Sequence, residues 1–303
     1  MKEIQRLLVL GGSGFVGSAL VREWKPRPYL ATYWHRPFPN GVRFDVSTER
    51  LADRLLLRGH GFTHAVLAQG MTNLEQCALM PNDSAATNVT GTLRAIDDLV
   101  DAGVHPIFLS SDAVFDGSPG LRTENDSPSP ILAYGKDKLI VEQYLQNLSG
   151  FWTTLRLTKV VAGISDNRNL LSQWLTSVED GQLIRCATDQ LLTPVDLQYV
   201  IQAIIFVIET HSTGLFQVSG SEAVSRYDLL QKLLQYVPEH VRRRTLVQKC
   251  VIREINFRGL LPQNCTLANA KFTSLSGILP RPLNEVCVEL CDNIYSVIEE
   301  FAN

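Results

Sequence analysis

A phenol and an ammonium group stand four residues apart in Tyr134-Gly135-Lys136-Asp137-Lys138. On a helix that spacing stacks Tyr134 and Lys138 on one face. A phenol with a pKa of about 10 is a poor proton donor at neutral pH until something stabilises the phenolate. A neighbouring lysine does that. Taken alone, Tyr-x-x-x-Lys is a common surface-helix pattern. It gains weight from Ser110-Ser111-Asp112, which follows the apolar strand Ile107 to Leu109. From there the Ser111 hydroxyl can bond the same carbonyl oxygen that Tyr134 protonates.

The second chemical pattern is Gly11-Gly12-Ser13-Gly14-Phe15-Val16-Gly17, between the first strand and the first helix. Glycines at 11, 14 and 17 permit a tight turn, close backbone approach to a pyrophosphate, and close helix–sheet packing. The helix N-terminus adds unpaired N–H groups and partial positive charge. Dinucleotide binding follows, through Gly11, Ser13, Gly14, Phe15, Val16 and Gly17. An NAD site usually carries an acid at the end of the second strand, whereas NADP needs a cation for its 2′-phosphate. The second strand ends in His35-Arg36 with no acid, which favours NADP (NADPH) over NAD. Asp45, followed by Val46, is placed to accept from the adenine amino group. Ala68 and Gln69, beyond the fourth strand, complete the candidate cofactor residues, with Tyr134 and Lys138 holding the nicotinamide ribose.

The elements that must position these groups alternate through the first half. Apolar strands are expected at Leu7 to Leu10, Tyr29 to Trp34, Ala65 to Ala68, Ile107 to Leu109 and Thr153 to Leu157. Helices are expected at Phe15 to Trp24, Glu49 to Arg58, Ser84 to Ala102 and Ala133 to Leu148. Continuously apolar strands alternating with helices predict an α/β, doubly wound parallel sheet of Rossmann type, with its ligand at the strands' carboxyl ends. Beyond Val161 helices dominate, at Asn169 to Glu179, Asp196 to Thr210, Arg226 to Val237 and Asn284 to Phe301, with one more strand at Gly214 to Val218. This predicts a smaller, interleaved α/β substrate domain. The dinucleotide-binding domain is set at 1–163 plus roughly 187–218, and the substrate domain at roughly 164–186 and 219–303. The Pro/Ser/Asp-rich stretch Gly117 to Pro130 is a candidate substrate-side loop.

Composition bounds the rest. The 303 residues are 45% hydrophobic and 19% charged, enough chain to build a core without staples. With 28 basic and 31 acidic side chains, the net charge of −3 gives no drive toward nucleic acid or anionic membrane. The run from Met1 to Leu10 lacks the apolar length and cleavage site of a secretion signal, and Val200 to Ile208 is too short to span a bilayer. A cytoplasmic location is expected. The six cysteines contain no C-x-x-C pair and read as reduced, mostly buried thiols. The six histidines show no metal-ligand spacing, so no metal is expected. Val200, Ile201, Ile204, Ile205 and Ile208 read as core or as a subunit interface, which leaves a homodimer open.

Taken together the motifs resemble the extended short-chain dehydrogenase/reductases, and more closely the dTDP-4-dehydrorhamnose reductase group. The likeness rests on the glycine turn, Asn88-Val89-Thr90-Gly91-Thr92, the run Ser110-Ser111-Asp112-Ala113-Val114-Phe115-Asp116-Gly117 and Tyr134-Gly135-Lys136-Asp137-Lys138. It continues through Leu155-Arg156, Asp189-Gln190, Thr193-Pro194 and Phe216-Gln217-Val218-Ser219-Gly220. The resemblance implies Ser111, Tyr134 and Lys138 as catalytic triad, with Asn88 supporting a water relay from the lysine. It implies hydride transfer from nicotinamide C4 to a keto group on a nucleotide-linked or modified sugar, with Tyr134 as general acid.

Departures cluster on the substrate side. Ala113 replaces both the acid of the related dehydratases and the aromatic residue of the reductases. Lys159 and Val161 replace a Trp and a Tyr, and Gln69-Gly70-Met71 replaces an Ala-Tyr pair. These changes motivate a competing function: a non-catalytic NADP-binding regulatory subunit, similar to the beta subunit of methionine adenosyltransferase. A nucleotide-sugar C4 epimerase, which would hold NAD tightly, is a third reading. The expected ligand is a small molecule, with no nucleic-acid or membrane partner.

Overall fold

The computed structural model describes residues 5–255, 257 and 259–302, excepting the side chains of 297–302. The first four residues of the N-terminal run read above for a leader therefore lie outside the described residues. In chain order the first half holds β1 (Leu7–Leu10), α1 (Phe15–Trp24), β2 (Tyr29–Tyr33), β3 (Val42–Arg43), α2 (Leu51–Arg54), α3 (Leu57–His60), β4 (His64–Leu67), α4 (Leu74–Leu79), α5 (Pro81–Ala85) and α6 (Thr92–Asp101). It continues with β5 (His105–Ser111), α7 (Ala133–Gln146) and β6 (Thr153–Leu157). The second half holds β7 (Val160–Val161), α8 (Leu170–Glu179), β8 (Leu183–Ala187), β9 (Leu191–Leu192), β10 (Val195–Asp196), α9 (Leu197–Thr210) and β11 (Gly214–Val218). It closes with β12 (Val224–Ser225), α10 (Arg226–Leu234), α11 (Glu239–Arg242), β13 (Leu246–Cys250), β14 (Asn264–Cys265), α12 (Ala270–Ser276) and α13 (Leu283–Ala302).

Seven strands form one large parallel sheet in the order β11-β6-β5-β4-β1-β2-β3. The pairings β1–β2, β1–β4, β2–β3 and β4–β5 are parallel in register. All four residues of β1 are buried, as a strand covered on both faces requires. The strand order reverses direction between β1 and β4, and the glycine turn leaves β1 at this switch point. One face of the sheet packs Leu8, Leu10 and Leu67 with Ile96, Leu99, Val141 and Leu145.

The chain divides into two compact units. Unit 1 comprises 1–116, 127–156 and 201–216, and unit 2 comprises 117–126, 157–200 and 217–303. These bounds differ from those expected from sequence: 117–126, 157–163, 187–200 and 217–218 group with unit 2. Unit 2 builds its own core from Trp174, Leu175, Leu229, Leu233, Val286 and Leu290, on α8, α10 and α13. Its short strands pair as β9 with β12 and β14, and β8 with β13.

Two helices depart from expectation. The segment Glu49 to Arg58 forms two single turns, because the chain turns extended at Leu55 (φ −128°, ψ 130°). Ser84 to Ala102 is interrupted by a π-helical turn, Ala86–Gly91, between α5 and α6. Among the described residues no helix is long and apolar enough to cross a membrane.

Candidate active site

The glycine turn is built from backbone contacts that exclude side chains. Gly11 adopts φ +86°, and a Cβ there would lie 2.7 Å from the Gln69 nitrogen. A Cβ on Gly17 would lie 2.2 Å from the Gly11 carbonyl oxygen, so α1 can meet β1 this closely only through glycine. The Gly14 N–H donates to the Gly11 carbonyl at 2.9 Å. No side chain caps α1, which starts at Phe15 and Val16 directly after Ser13-Gly14. Thr32, missed by the sequence reading, anchors the turn. Its hydroxyl accepts from the Gly11 N–H at 3.2 Å, and its carbonyl accepts from the Gly12 N–H at 2.7 Å.

The remaining candidate cofactor residues take distinct places. Ala68 follows β4 and donates its N–H to the Leu10 carbonyl at 2.9 Å. Gln69 carries a buried Oε1 without a hydrogen-bond partner. His35 and Arg36 are exposed just beyond β2. Arg43, on β3 beside Tyr33, was not singled out from sequence; its Cζ lies 4.3 Å from the Trp34 ring centre. Asp45 is engaged locally, its Oδ1 accepting from the Ser47 N–H at 3.0 Å and hydroxyl at 2.6 Å. The Val46 side chain is core, and its carbonyl accepts from Arg94 Nη2 at 3.2 Å.

Ser111, Tyr134 and Lys138 converge at the carboxyl end of β5. The Ser111 hydroxyl donates to Asp112 Oδ1 at 2.7 Å and accepts from the Ala113 N–H at 3.2 Å. The nearby Ser111 hydroxyl pulls the pKa of the Tyr134 phenol down. Burial, followed by the Asp112 charge, outweighs that pull and drives the phenol above its ordinary value. Lys138 is 5% exposed and donates to the Leu109 carbonyl at 2.8 Å. Its ammonium lies 4.6 Å from the Phe108 ring centre and 5.5 Å from that of Tyr134. Burial lowers its pKa to about 8, with Glu142 and Asp137 opposing the shift. A Cβ on Gly135 would sit 1.9 Å from the Ala113 carbonyl oxygen, so α7 meets the Ser111–Ala113 segment backbone to backbone.

Asn88 lies in the π-helical turn, where the wider ring redirects a side chain. Its Nδ2 donates to the Met71 carbonyl at 3.0 Å, to Ser84 Oγ at 3.1 Å and to Asp137 Oδ2 at 3.4 Å. Its Oδ1 accepts from the Met71 N–H at 2.8 Å. The amide thus ties the segment after β4 to α7. Arg156, buried with Glu142, adds a second tie to α7. Its Nη2 donates to Glu142 Oε2 at 2.6 Å, and Glu142 in turn supports the charge of Lys138. Only Leu155-Arg156 in the sequence motif hinted at this.

The sequence profile of the RmlD substrate binding domain family matches residues 5–296. The chain is 27% identical over 274 residues to a probable low-salt glycan biosynthesis reductase, Agl14, of Haloferax volcanii, covering 86% of this chain and 88% of that protein. It is 24% identical over 281 residues to the dTDP-4-dehydrorhamnose reductase of Sinorhizobium fredii, covering 90% and 92%. Its fold matches the crystal structure of a dTDP-4-dehydrorhamnose reductase from Clostridium acetobutylicum with a TM-score of 0.84 at 20% identity, over 96% of this chain and 100% of that one.

Proposed function

The chain belongs to the RmlD substrate-binding domain family of extended short-chain dehydrogenase/reductases, and from that premise we propose that it reduces a keto group on a nucleotide-linked or modified sugar with NADPH. The observation that carries this reading is the meeting of Ser111, Tyr134 and buried Lys138 at one strand end. In this reading unit 1 holds the dinucleotide and unit 2 serves the substrate.

The residues present fit a dinucleotide. The turn at Gly11 to Gly17 has backbone where a Cβ would intrude, α1 begins without a side-chain cap, and Gln69 Oε1 is buried without a partner. Exposed Arg36 and nearby Arg43 suit the 2′-phosphate of NADP, and no carboxylate ends β2 to repel it. When bound, reduced nicotinamide supplies the hydride. Ser111 orients the substrate carbonyl by hydrogen bonding its oxygen, and Tyr134 gives that oxygen a proton. A phenol held above its ordinary pKa keeps its proton until an oxyanion develops to take it. Lys138, with a pKa near 8, is charged at neutral pH and favours the phenolate left behind. Asn88 and Asp137 hold the segment after β4 against α7, so the two catalytic side chains keep their spacing.

The test is NADPH oxidation across a panel of nucleotide-linked keto-sugars, beside thermal shifts with NADPH and NADH added separately. A ligand that binds only the folded state raises the melting temperature. Turnover with NADPH supports the reading. A cofactor-stabilised protein that turns over no keto-sugar and co-purifies with a partner protein points instead to the regulatory-subunit reading.

A further inference from the structure

The loop Gly117–Asp126, expected from sequence to lie on the substrate side, is sewn within unit 2 to residues 262–268. Asn264 stands on β14, which runs parallel to β9, and is 9% exposed. Its Nδ2 donates to the Ser118 carbonyl at 3.0 Å and to the Gly120 carbonyl at 2.6 Å, so both amide hydrogens go to the loop. Its Oδ1 accepts from the Thr266 N–H at 3.1 Å and hydroxyl at 2.7 Å, so the other half of the amide serves its own segment. Main chain completes the seam. The Asn264 N–H donates to the Gly117 carbonyl at 3.1 Å, the Arg122 N–H to the Thr266 carbonyl at 3.3 Å, and the Ala268 N–H to the Arg122 carbonyl at 2.7 Å. Gly117 has φ +85°, and a Cβ there would lie 2.7 Å from Pro262 Cα, so the two backbones meet directly.

Hydrogen bonds rather than burial hold this loop. Leu121, beside the two bonded carbonyls, stays 59% exposed. A solvent-facing loop ordinarily samples many arrangements, and ordering it on binding costs conformational entropy. Here the order is imposed beforehand by an amide borne on a strand, which is the more precise support for a recognition surface. The same loop joins the Ser111 segment to the Tyr134 helix along the chain, and its neck is closed where the Ser129 N–H donates to the Val114 carbonyl at 2.9 Å. We propose that Asn264 is a positioning residue for the substrate, which fixes Gly117–Asp126 in its working arrangement before the sugar arrives. The proposal rests on the reductase reading for what that substrate is.

The test combines residue-resolved hydrogen exchange with steady-state kinetics on the full chain. In the ligand-free wild type the Arg122 and Ala268 amides exchange slowly, and exchange at the rate of a free loop overturns the proposal. In Asn264→Asp, which keeps the acceptor for Thr266 but loses both donors, exchange at Arg122 quickens at least tenfold. With dTDP-4-dehydrorhamnose as the probe ketone, its KM in that variant rises at least tenfold, while kcat and the KM for NADPH stay within threefold. Thr266→Val, which leaves both amide donors on the loop, stays within threefold in every quantity. An unaltered exchange rate in Asn264→Asp, an unaltered KM for the ketone, or a loss confined to kcat overturns the positioning role and leaves the reductase reading intact. A wild type that reduces no keto-sugar sinks that reading instead, and calorimetry with dTDP-rhamnose then decides the role of Asn264. Affinity at least tenfold weaker in Asn264→Asp keeps the assignment; equal affinity, or none in the wild type, overturns it. Should Asn264→Asp not fold, wild-type exchange is repeated with saturating dTDP-rhamnose. An unchanged rate at Arg122 keeps the assignment, and protection that arises only with the nucleotide sugar overturns it.

Discussion

Strand β5 begins at His105 and ends at Ser111, about 20 Å apart, with titratable groups displaced from their ordinary pKa values at both ends. At the carboxyl end stand Tyr134 and Lys138. At the amino end His105 lies beside His64, their ring centres 5.1 Å apart, and His211 lies 5.0 Å from His64. His105 Nε2 meets Thr153 Oγ1 at 2.8 Å while that hydroxyl donates to the Ser212 carbonyl at 2.6 Å, so His105 carries its proton on Nε2. Burial first, and the neighbouring imidazoles second, lower His64 to about 3 and His105 to about 4. Burial is thus the leading cause at both ends. The difference is in the company. At the amino end the neighbours repel the charge that protonation would add, so the rings stay neutral and serve packing. At the carboxyl end Glu142 and Asp137 support the Lys138 charge while Asp112 holds the Tyr134 proton on. A shifted pKa becomes useful when the neighbours hold a neutral proton donor directly beside a cation.

Substitutions at the two ends should therefore move different quantities. The largest effect is expected from Tyr134→Phe, which lowers turnover by about 1,000-fold or more, roughly 4 kcal/mol in the barrier, with cofactor affinity within a few-fold. Retained NADPH oxidation in that variant would sink the acid assignment. At the amino end the folded histidine pKa values lie below the unfolded value of about 6.5, so the unfolded chain binds more protons as pH falls below that point. Stability, complete above about pH 6.5, should drop by about 2 kcal/mol per histidine by pH 5. Urea melts of wild type and His64→Phe at pH 7 and pH 5 check this, and an equal acid loss in both removes His64 from the account. The variant should keep full activity at pH 7. Smaller again is the alkaline limb: Lys138 loses its proton through about pH 8, so turnover should fall about tenfold per pH unit above it. A flat kcat profile from pH 7 to 10 would detach the lysine from the chemistry. Smallest is Arg36→Ala, expected to raise the KM for NADPH by several-fold to about tenfold while leaving that for NADH unchanged. Equal changes for both cofactors would move the 2′-phosphate contact elsewhere, with Arg43 the next residue to replace.

The same contrast explains what was legible in the sequence. The glycine turn, α1, β1 and the Tyr134–Lys138 helix rest on local spacing, and the structure has them within a residue or two of expectation. The histidine cluster joins positions 64, 105 and 211, which no local pattern connects. The π-helical turn at Asn88 is equally silent, since helical periodicity continues through it while the hydrogen bonding changes. Thr32 reads as one more β-branched strand residue until its hydroxyl is seen on the Gly11 N–H.

The meeting of Gly135 with the Ala113 carbonyl carries one more consequence. The helix bearing Tyr134 and the segment bearing Ser111 are gauged against each other by the Ala113 main chain, with the Pro130 ring beside the joint. Position 113 meets that joint through its carbonyl, which every residue type carries, so its side chain does not set the spacing of the Ser111 and Tyr134 segments. On the proposed reading, a change of ketone is then a matter of re-lining around a fixed joint. A bulkier residue at 135 would be a change that no re-lining could rescue.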